Sequence, residues 1–180
     1  MQNRMRLFVI CNIMNVLSRF SLQIEIMPGS DYKMDQIDID LLKLLQSDSR
    51  MPISELSKHL ALSRPSVSER VHRLQERGVI KEFSARVSPA AVGRDTTLFI
   101  QISELKITPL EFERLIKEET DVIECHRVTG QTSYFIKAAV SKIEGLALLV
   151  DRLIPYGKIN TSVVLSSPVS YRHILPQDTK

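Results

Sequence analysis

Tryptophan is absent from the chain, and cysteine occurs only as Cys11 and Cys125. Two cysteines this far apart supply neither a disulfide framework nor the paired spacing of a zinc site, which fits a reducing, cytoplasmic setting. In a strand, Cys125 and the adjacent His126 would point to opposite faces, so a shared metal is not expected there. The six glycines and eight prolines are scattered. That rules out low-complexity tracts and leaves only a short junction between any two domains. A long uninterrupted apolar run is also missing. Leu7 to Leu22 is mostly apolar behind Arg4 and Arg6, but Asn12 and Asn15 interrupt it and no small-residue cleavage pattern follows. The stretch is too short and broken to span a bilayer, so no membrane partner is expected. Residues 1–33 are read as an N-terminal extension without assigned function, equally consistent with a start placed too far upstream. Finally, there is no phosphate-cradling glycine loop, no nucleophile-base-orienter set and no metal-ligand spacing. An enzyme is not expected, nor a cofactor or metal.

What is present is an ordinary globular composition, 43% hydrophobic and 25% charged in 180 residues, with room for one large domain or two small ones. The net charge of +3 is unevenly spread. Between residues 58 and 86 seven basic side chains (Lys58, Arg64, Arg70, Arg73, Arg77, Lys81, Arg86) face three acidic ones, Glu69, Glu76 and Glu82. Alone, such a run is more often a solvated helix face than a phosphate site, so its surroundings decide.

Those surroundings are three closely spaced helical segments. Asp35 can cap the first, with Ile37, Leu41, Leu44 and Leu45 as its apolar face. Ser54 can cap a short second helix on which Leu56 and Leu60 share a face. Ser63 can cap a third, which tolerates Pro65 in its first turn and is closed by Gly78. In the third helix Val67, Val71 and Leu74 form a narrow apolar stripe, while Pro65, Glu69, His72, Arg73 and Glu76 point away from it. A helix patterned in this way is docked on one side and free on the other. Residues 82–87 then alternate, with Phe83, Ala85 and Val87 on one face, as in one strand of a wing. The order is that of a winged helix-turn-helix spanning 34–94.

Residues 95–180 read differently. Thr97 to Ser103 alternates as a strand; Thr108-Pro109-Leu110-Glu111 is a capping box opening a helix with Phe112, Leu115 and Ile116 inward. Val122 to Val128 and Tyr134 to Val140 are strands around the turn at Thr129-Gly130. Ser141 to Glu144 forms a second capping box, heading a helix with Ile143, Leu146, Val150, Leu153 and Ile154 inward, and Ile159 to Ser166 supplies a last strand. The order βαββαβ predicts a ferredoxin-like domain: a four-stranded antiparallel sheet with both helices on one face, making the chain α+β overall. The uncovered sheet face predicts a homodimer or a higher homo-oligomer.

Over residues 34 to about 172 the sequence resembles the Lrp/AsnC family of leucine-responsive prokaryotic regulators. The resemblance is carried by Met34-Asp35-Gln36-Ile37-Asp38 with Leu41-Leu42, by Arg50, by Leu62-Ser63-Arg64-Pro65-Ser66-Val67 and by Glu69-Arg70-Val71-His72-Arg73-Leu74. Gly78-Val79-Ile80, Glu124-Cys125-His126 and Val128-Thr129-Gly130 continue it. It implies a cytoplasmic, nucleoid-associated regulator of transcription that binds double-stranded DNA and oligomerises through its second domain. It also implies a response to an amino acid or related metabolite. A helix of this kind reaches base edges with its N-terminal residues, which singles out Arg64, Ser66, Ser68, Glu69 and His72, with Ser63 and Pro65 completing its leading turn. Arg70, Arg73, Arg77 and Arg86 are placed for phosphates, or for ion pairs with Glu69, Glu76 or Glu82. The resemblance sets the effector site at the turn Gly130, Gln131, Thr132, Ser133 and Tyr134, near a subunit interface. Many members carry an acidic residue where this chain has Ser133, which leaves open a different effector, a weakly bound one or none. The fold equally admits an architectural protein that wraps DNA with little effector response.

Overall fold

The computed structural model describes residues 34–176; the extension at 1–33 lies outside the described residues. Two compact units divide between Phe83 and Ser84, the second running to Ile174. The division precedes the boundary expected at 94. Residues near 94 belong with the second unit because the Arg94 guanidinium donates to the carbonyl oxygens of Thr120 (2.7 Å) and Ala139 (3.3 Å).

The first unit consists of α1 (Gln36–Ser47), α2 (Ile53–His59) and α3 (Arg64–Glu76). Asp35 caps α1, its carboxylate accepting from the Asp38 amide at 2.8 Å. The buried face of α1 is Asp38, Leu41, Leu42 and Leu45, rotated from the expected one, so that Ile37 and Leu44 are only half-buried. With Leu56, Val67 and Leu74 these leucines make one core. Helix α2 begins one residue before Ser54, after Pro52, and no side chain caps it; the expected serine cap is not formed. Ser63 does cap α3, accepting from the Ser66 amide at 3.3 Å. At the other end Gly78 adopts a left-handed φ of 68°, and the amides of Gly78 and Val79 close on the carbonyls of Gln75 and Leu74, both at 2.9 Å. The strand expected at 82–87 is not formed. Residues 82–87 are irregular, and Phe83 and Val87 are exposed.

The second unit is β1 (Thr96–Ser103), α4 (Pro109–Lys117), β2 (Val122–Arg127), β3 (Thr132–Val140), α5 (Lys142–Leu153) and β4 (Lys158–Val163). The strands form one antiparallel sheet in the order β2-β3-β1-β4, as the ferredoxin-like reading requires. Leu98, Ile100 and Ile102 of β1 and Tyr134, Ile136, Ala138 and Val140 of β3 share the inner face, where Phe112, Ile116, Leu149 and Leu153 of the helices meet them. The capping box of α4 is formed in both directions. That of α5 is not: Ser141 caps nothing, Lys142 has a φ of 59°, and its amide donates instead to Asp95 at 3.0 Å. Leu115, Ile143 and Ile154, expected inward, are exposed, because the apolar arc of each helix is wider than the face the sheet covers. On the outer sheet face Phe99 and Phe135 occupy diagonal positions of adjacent strands and are 46% and 39% exposed.

Candidate nucleic-acid interface

Helix α3 owes its placement to two different kinds of contact. Val67 and Leu74, two turns apart, are fully buried against the leucines of α1 and α2. Removing that apolar area from water supplies the docking energy, roughly 1.5–3 kcal/mol for each such side chain. The second contact is electrostatic. Asp38 is only 1% exposed, and the Arg70 guanidinium donates to it at 2.6 Å and to Asp35 at 2.8 Å. Arg73 approaches the same Asp38 oxygen at 3.4 Å. The hydrogen bonds from Arg70 to Asp38 and then Asp35 hold its guanidinium charged even more firmly than usual. Partial burial would raise the Asp35 carboxyl, but the Asp38 amide and Arg70 together keep it below its ordinary value.

Arg70 and Arg73, expected at phosphates or in ion pairs with Glu69, Glu76 or Glu82, both turn toward α1, where Asp38 meets each of them and Asp35 meets Arg70. What α3 leaves outward is Arg64, Pro65, Ser68, Glu69, His72 and Arg77, all exposed, with Ser66 half-buried behind them. Arg64, Ser68 and His72 recur every fourth residue and so line one ridge. His72 sits 3.2 Å from Glu76 on the next turn. Arg86, expected on the wing, lies in the second unit, where its guanidinium stacks 3.9 Å above the Tyr171 ring.

At the other candidate site, the β2–β3 hairpin closes with the Val128 amide donating to the Ser133 carbonyl at 3.0 Å. Gly130 takes a φ of 112°, which only glycine adopts without strain, and its Cβ direction is open. Gly130 and Gln131 are exposed, Thr132 and Ser133 half-exposed. Tyr134, which the resemblance sets at the effector turn, is buried in the domain core, its ring 4.6 Å from that of Phe112 and its hydroxyl donating to Glu113 at 2.8 Å. Burial and then Glu113 push its phenol pKa upward. Reading the sequence for acids in the turn itself missed Glu113, which reaches the hairpin from α4 and also faces Arg127 at 3.8 Å. Among the described residues no helix is long and apolar enough to cross a membrane.

A three-helix unit presenting one ridge of a capped helix, followed by a ferredoxin-like unit, is the architecture of a helix-turn-helix regulator with an appended α/β domain. The comparisons agree. The description "winged helix-turn-helix DNA-binding" matches residues 34–81, and "Lrp/AsnC ligand binding domain" matches residues 97–174. The chain is 34% identical over 134 residues to the HTH-type transcriptional regulator YezC of Bacillus subtilis, covering 74% of this chain and 95% of that one. It is 32% identical over 146 residues to the regulator LrpA of Mycobacterium tuberculosis, covering 79% and 97%. Among solved structures it is similar to LrpC of B. subtilis, with a TM-score of 0.74 at 27% identity over 78% of this chain and all of that one. The M. tuberculosis feast or famine regulatory protein complexed with L-methionine matches with the same TM-score, at 31% identity over 80% of this chain and all of that one. The chain belongs to the Lrp/AsnC family and is a DNA-binding transcriptional regulator, not an enzyme.

Proposed function

We propose that α3 enters the major groove and reads base edges with Arg64, Ser66, Ser68, Glu69 and His72, while Ser63, Pro65 and Arg77 lie against the backbone. The observation that carries this reading is the one-sided burial of α3: Val67 and Leu74 are fully enclosed, whereas Arg64, Ser68 and His72 are exposed in a line along the helix. Arginine can pair bidentately with guanine and glutamate can accept from cytosine, so this ridge suits sequence-specific readout better than wrapping alone. Selection of duplexes from a random pool tests it. Enrichment of a defined half-site supports the reading, and enrichment of nothing beyond A/T bias overturns it in favour of the architectural role.

The second unit responds, in this reading, to an amino acid or a related small metabolite bound at Gly130, Gln131, Thr132 and Ser133. The support is the methionine held by the M. tuberculosis relative and by a Neisseria meningitidis regulator that is 25% identical with a TM-score of 0.72. The protein works as a homodimer or larger assembly in the cytoplasm, its exposed Phe99 and Phe135 covered by a second copy. A thermal-shift panel of amino acids tests the effector, because any ligand that prefers the folded state raises the melting temperature; no shift with any member removes it. Light scattering at micromolar concentration tests the assembly, and a clean monomer removes that.

A further inference from the structure

Arg70 stands among residues expected to touch DNA, but its charge is spent inside the domain. Its guanidinium joins the two acids of the first turn of α1, at 2.8 Å to Asp35 and 2.6 Å to Asp38. Asp38 is the only buried charged or polar residue in the cores of the described residues, and it continues the leucine face of α1 at the spacing of Leu41, Leu42 and Leu45. A carboxylate in that position is costly unless a fixed cation meets it, and here one nitrogen of Arg70, Nη1, donates to both acids. The apolar contacts of Val67 and Leu74 are non-directional, so they hold α3 against α1 while leaving some freedom of rotation and sliding. The charge-assisted hydrogen bonds from Arg70 Nη1 to Asp35 and Asp38, being directional, remove that freedom.

We propose that the Asp35–Asp38–Arg70 clamp sets the pose in which α3 is presented, making Arg70 a positioning residue for sequence discrimination that touches no DNA. This rests on the reading of α3 as the base-reading helix. It separates two properties that a count of basic residues merges. Arg64 and the exposed ridge would carry discrimination directly, and Arg70 would carry it through geometry, contributing nothing to the release of counterions from phosphates.

The test uses the full chain with two DNA probes: a duplex selected by that chain from a random pool, and a shuffled duplex of the same length and composition. Affinity for both is measured across a salt series for the unsubstituted protein, Arg70→Gln, Arg70→Lys, Asp35→Asn and Arg64→Ala. Asparagine caps a helix about as well as aspartate, so Asp35→Asn removes the ionic contact while keeping α1 capped. Circular dichroism and thermal melting confirm that each variant is folded at the assay temperature. Should Arg70→Gln fail to fold, Asp35→Asn decides alone. The clamp predicts that Arg70→Gln and Asp35→Asn each lower the ratio of selected to shuffled affinity by about tenfold, the scale of one charge-assisted hydrogen bond. It predicts an unchanged salt slope for Arg70→Gln and partial recovery of the ratio with Arg70→Lys. The Asp35 variant is the sharper arm: removing a negative charge near DNA should by simple electrostatics tighten binding to both probes alike. If Asp35→Asn does that, or if Arg70→Gln weakens both probes equally and lowers the slope by about one, Arg70 is a phosphate contact and the proposal falls. If Arg64→Ala also leaves the ratio untouched, it is the reading of α3 that has failed and not the clamp alone.

Discussion

The hydroxyl of Tyr134 donates to the carboxylate of Glu113 across 2.8 Å, tying the strand that leaves the β2–β3 turn to the helix packed beneath it. Tyr134 is 1% exposed with its ring against Phe112, so the donor is withdrawn from water while Glu113 stays partly solvated, and the bond has a stabilising role. Tyr134→Phe keeps the ring and removes the donor. Glu113 still faces Arg127, so the expected loss is about 1 kcal/mol, read from urea denaturation. The pH dependence has a definite sign. Burial and Glu113 raise the folded-state phenol pKa, so the stability it represents is complete below the unfolded tyrosine value near pH ~10 and is lost as pH climbs above it. The unsubstituted protein should therefore weaken above that point more steeply than Tyr134→Phe does. Parallel curves for the two would contradict the assignment.

Gly157 offers a second check on the same domain. A Cβ there would stand 2.8 Å from the Ser103 carbonyl oxygen and 2.9 Å from a methyl of Ile102, and the first of these is backbone that cannot swing aside. The glycine is required by close approach at the entry to β4, where its φ of 173° is ordinary extended backbone. Gly157→Ala should cost roughly 1–3 kcal/mol by overpacking the β1–β4 pairing. An unchanged urea midpoint would show that the strands separate without strain.

Much of this architecture was legible because it is local. Asp35, Ser63 and Thr108 announce their helices by a side chain that accepts from an amide three residues on, a relation wholly contained in sequence. The strands β1 and β3 declare a buried face by alternation. Failures occur where the partner lies far along the chain. Ser141 has the capping pattern, but Asp95 takes the amide of Lys142 from across the fold. Arg70 reads as a cation on a DNA-facing helix because Asp35 and Asp38 are more than thirty positions away. One signal was available: Asp38 shares the spacing of Leu41, Leu42 and Leu45, and no basic residue sits three or four positions from it on α1. A carboxylate on an apolar face with no local partner demands a distant one. Arg86 was opaque for the same reason, since Tyr171 lies at the far end of the second unit.

Cys125 lies on the inner face of β2, beside Ile136, and burial followed by the charge of Glu113 pushes its thiol up to about 11. At about pH 8 it should hold on the order of a hundredfold less thiolate than an unperturbed cysteine. Iodoacetamide labelling followed by peptide mass spectrometry separates it from Cys11. Cys125 is expected to stay largely unmodified under conditions that label a cysteine in an unfolded control, and to become reactive in urea. Equal labelling of the native and unfolded protein would show that the inner face of the sheet is open at this edge.

Arg64 and Arg77 stand at opposite ends of α3, and the proposed reading gives them different work. Arg64 is the first residue of the helix, where a recognition helix brings its side chains nearest the base edges. Arg77 caps the other end, and in the proposed reading its guanidinium meets backbone phosphate where the helix leaves the groove. Loss of a bidentate base contact should cost about 1–3 kcal/mol on the preferred duplex and little on others, so Arg64→Ala should flatten preference at one position of each half-site. Loss of a phosphate contact should weaken all duplexes alike and reduce the salt slope by about one per subunit. Binding isotherms over a salt series, on a selected duplex and its single-base variants, distinguish the two. Identical behaviour of the variants would mean that α3 lies along the groove differently, with both ends on phosphate.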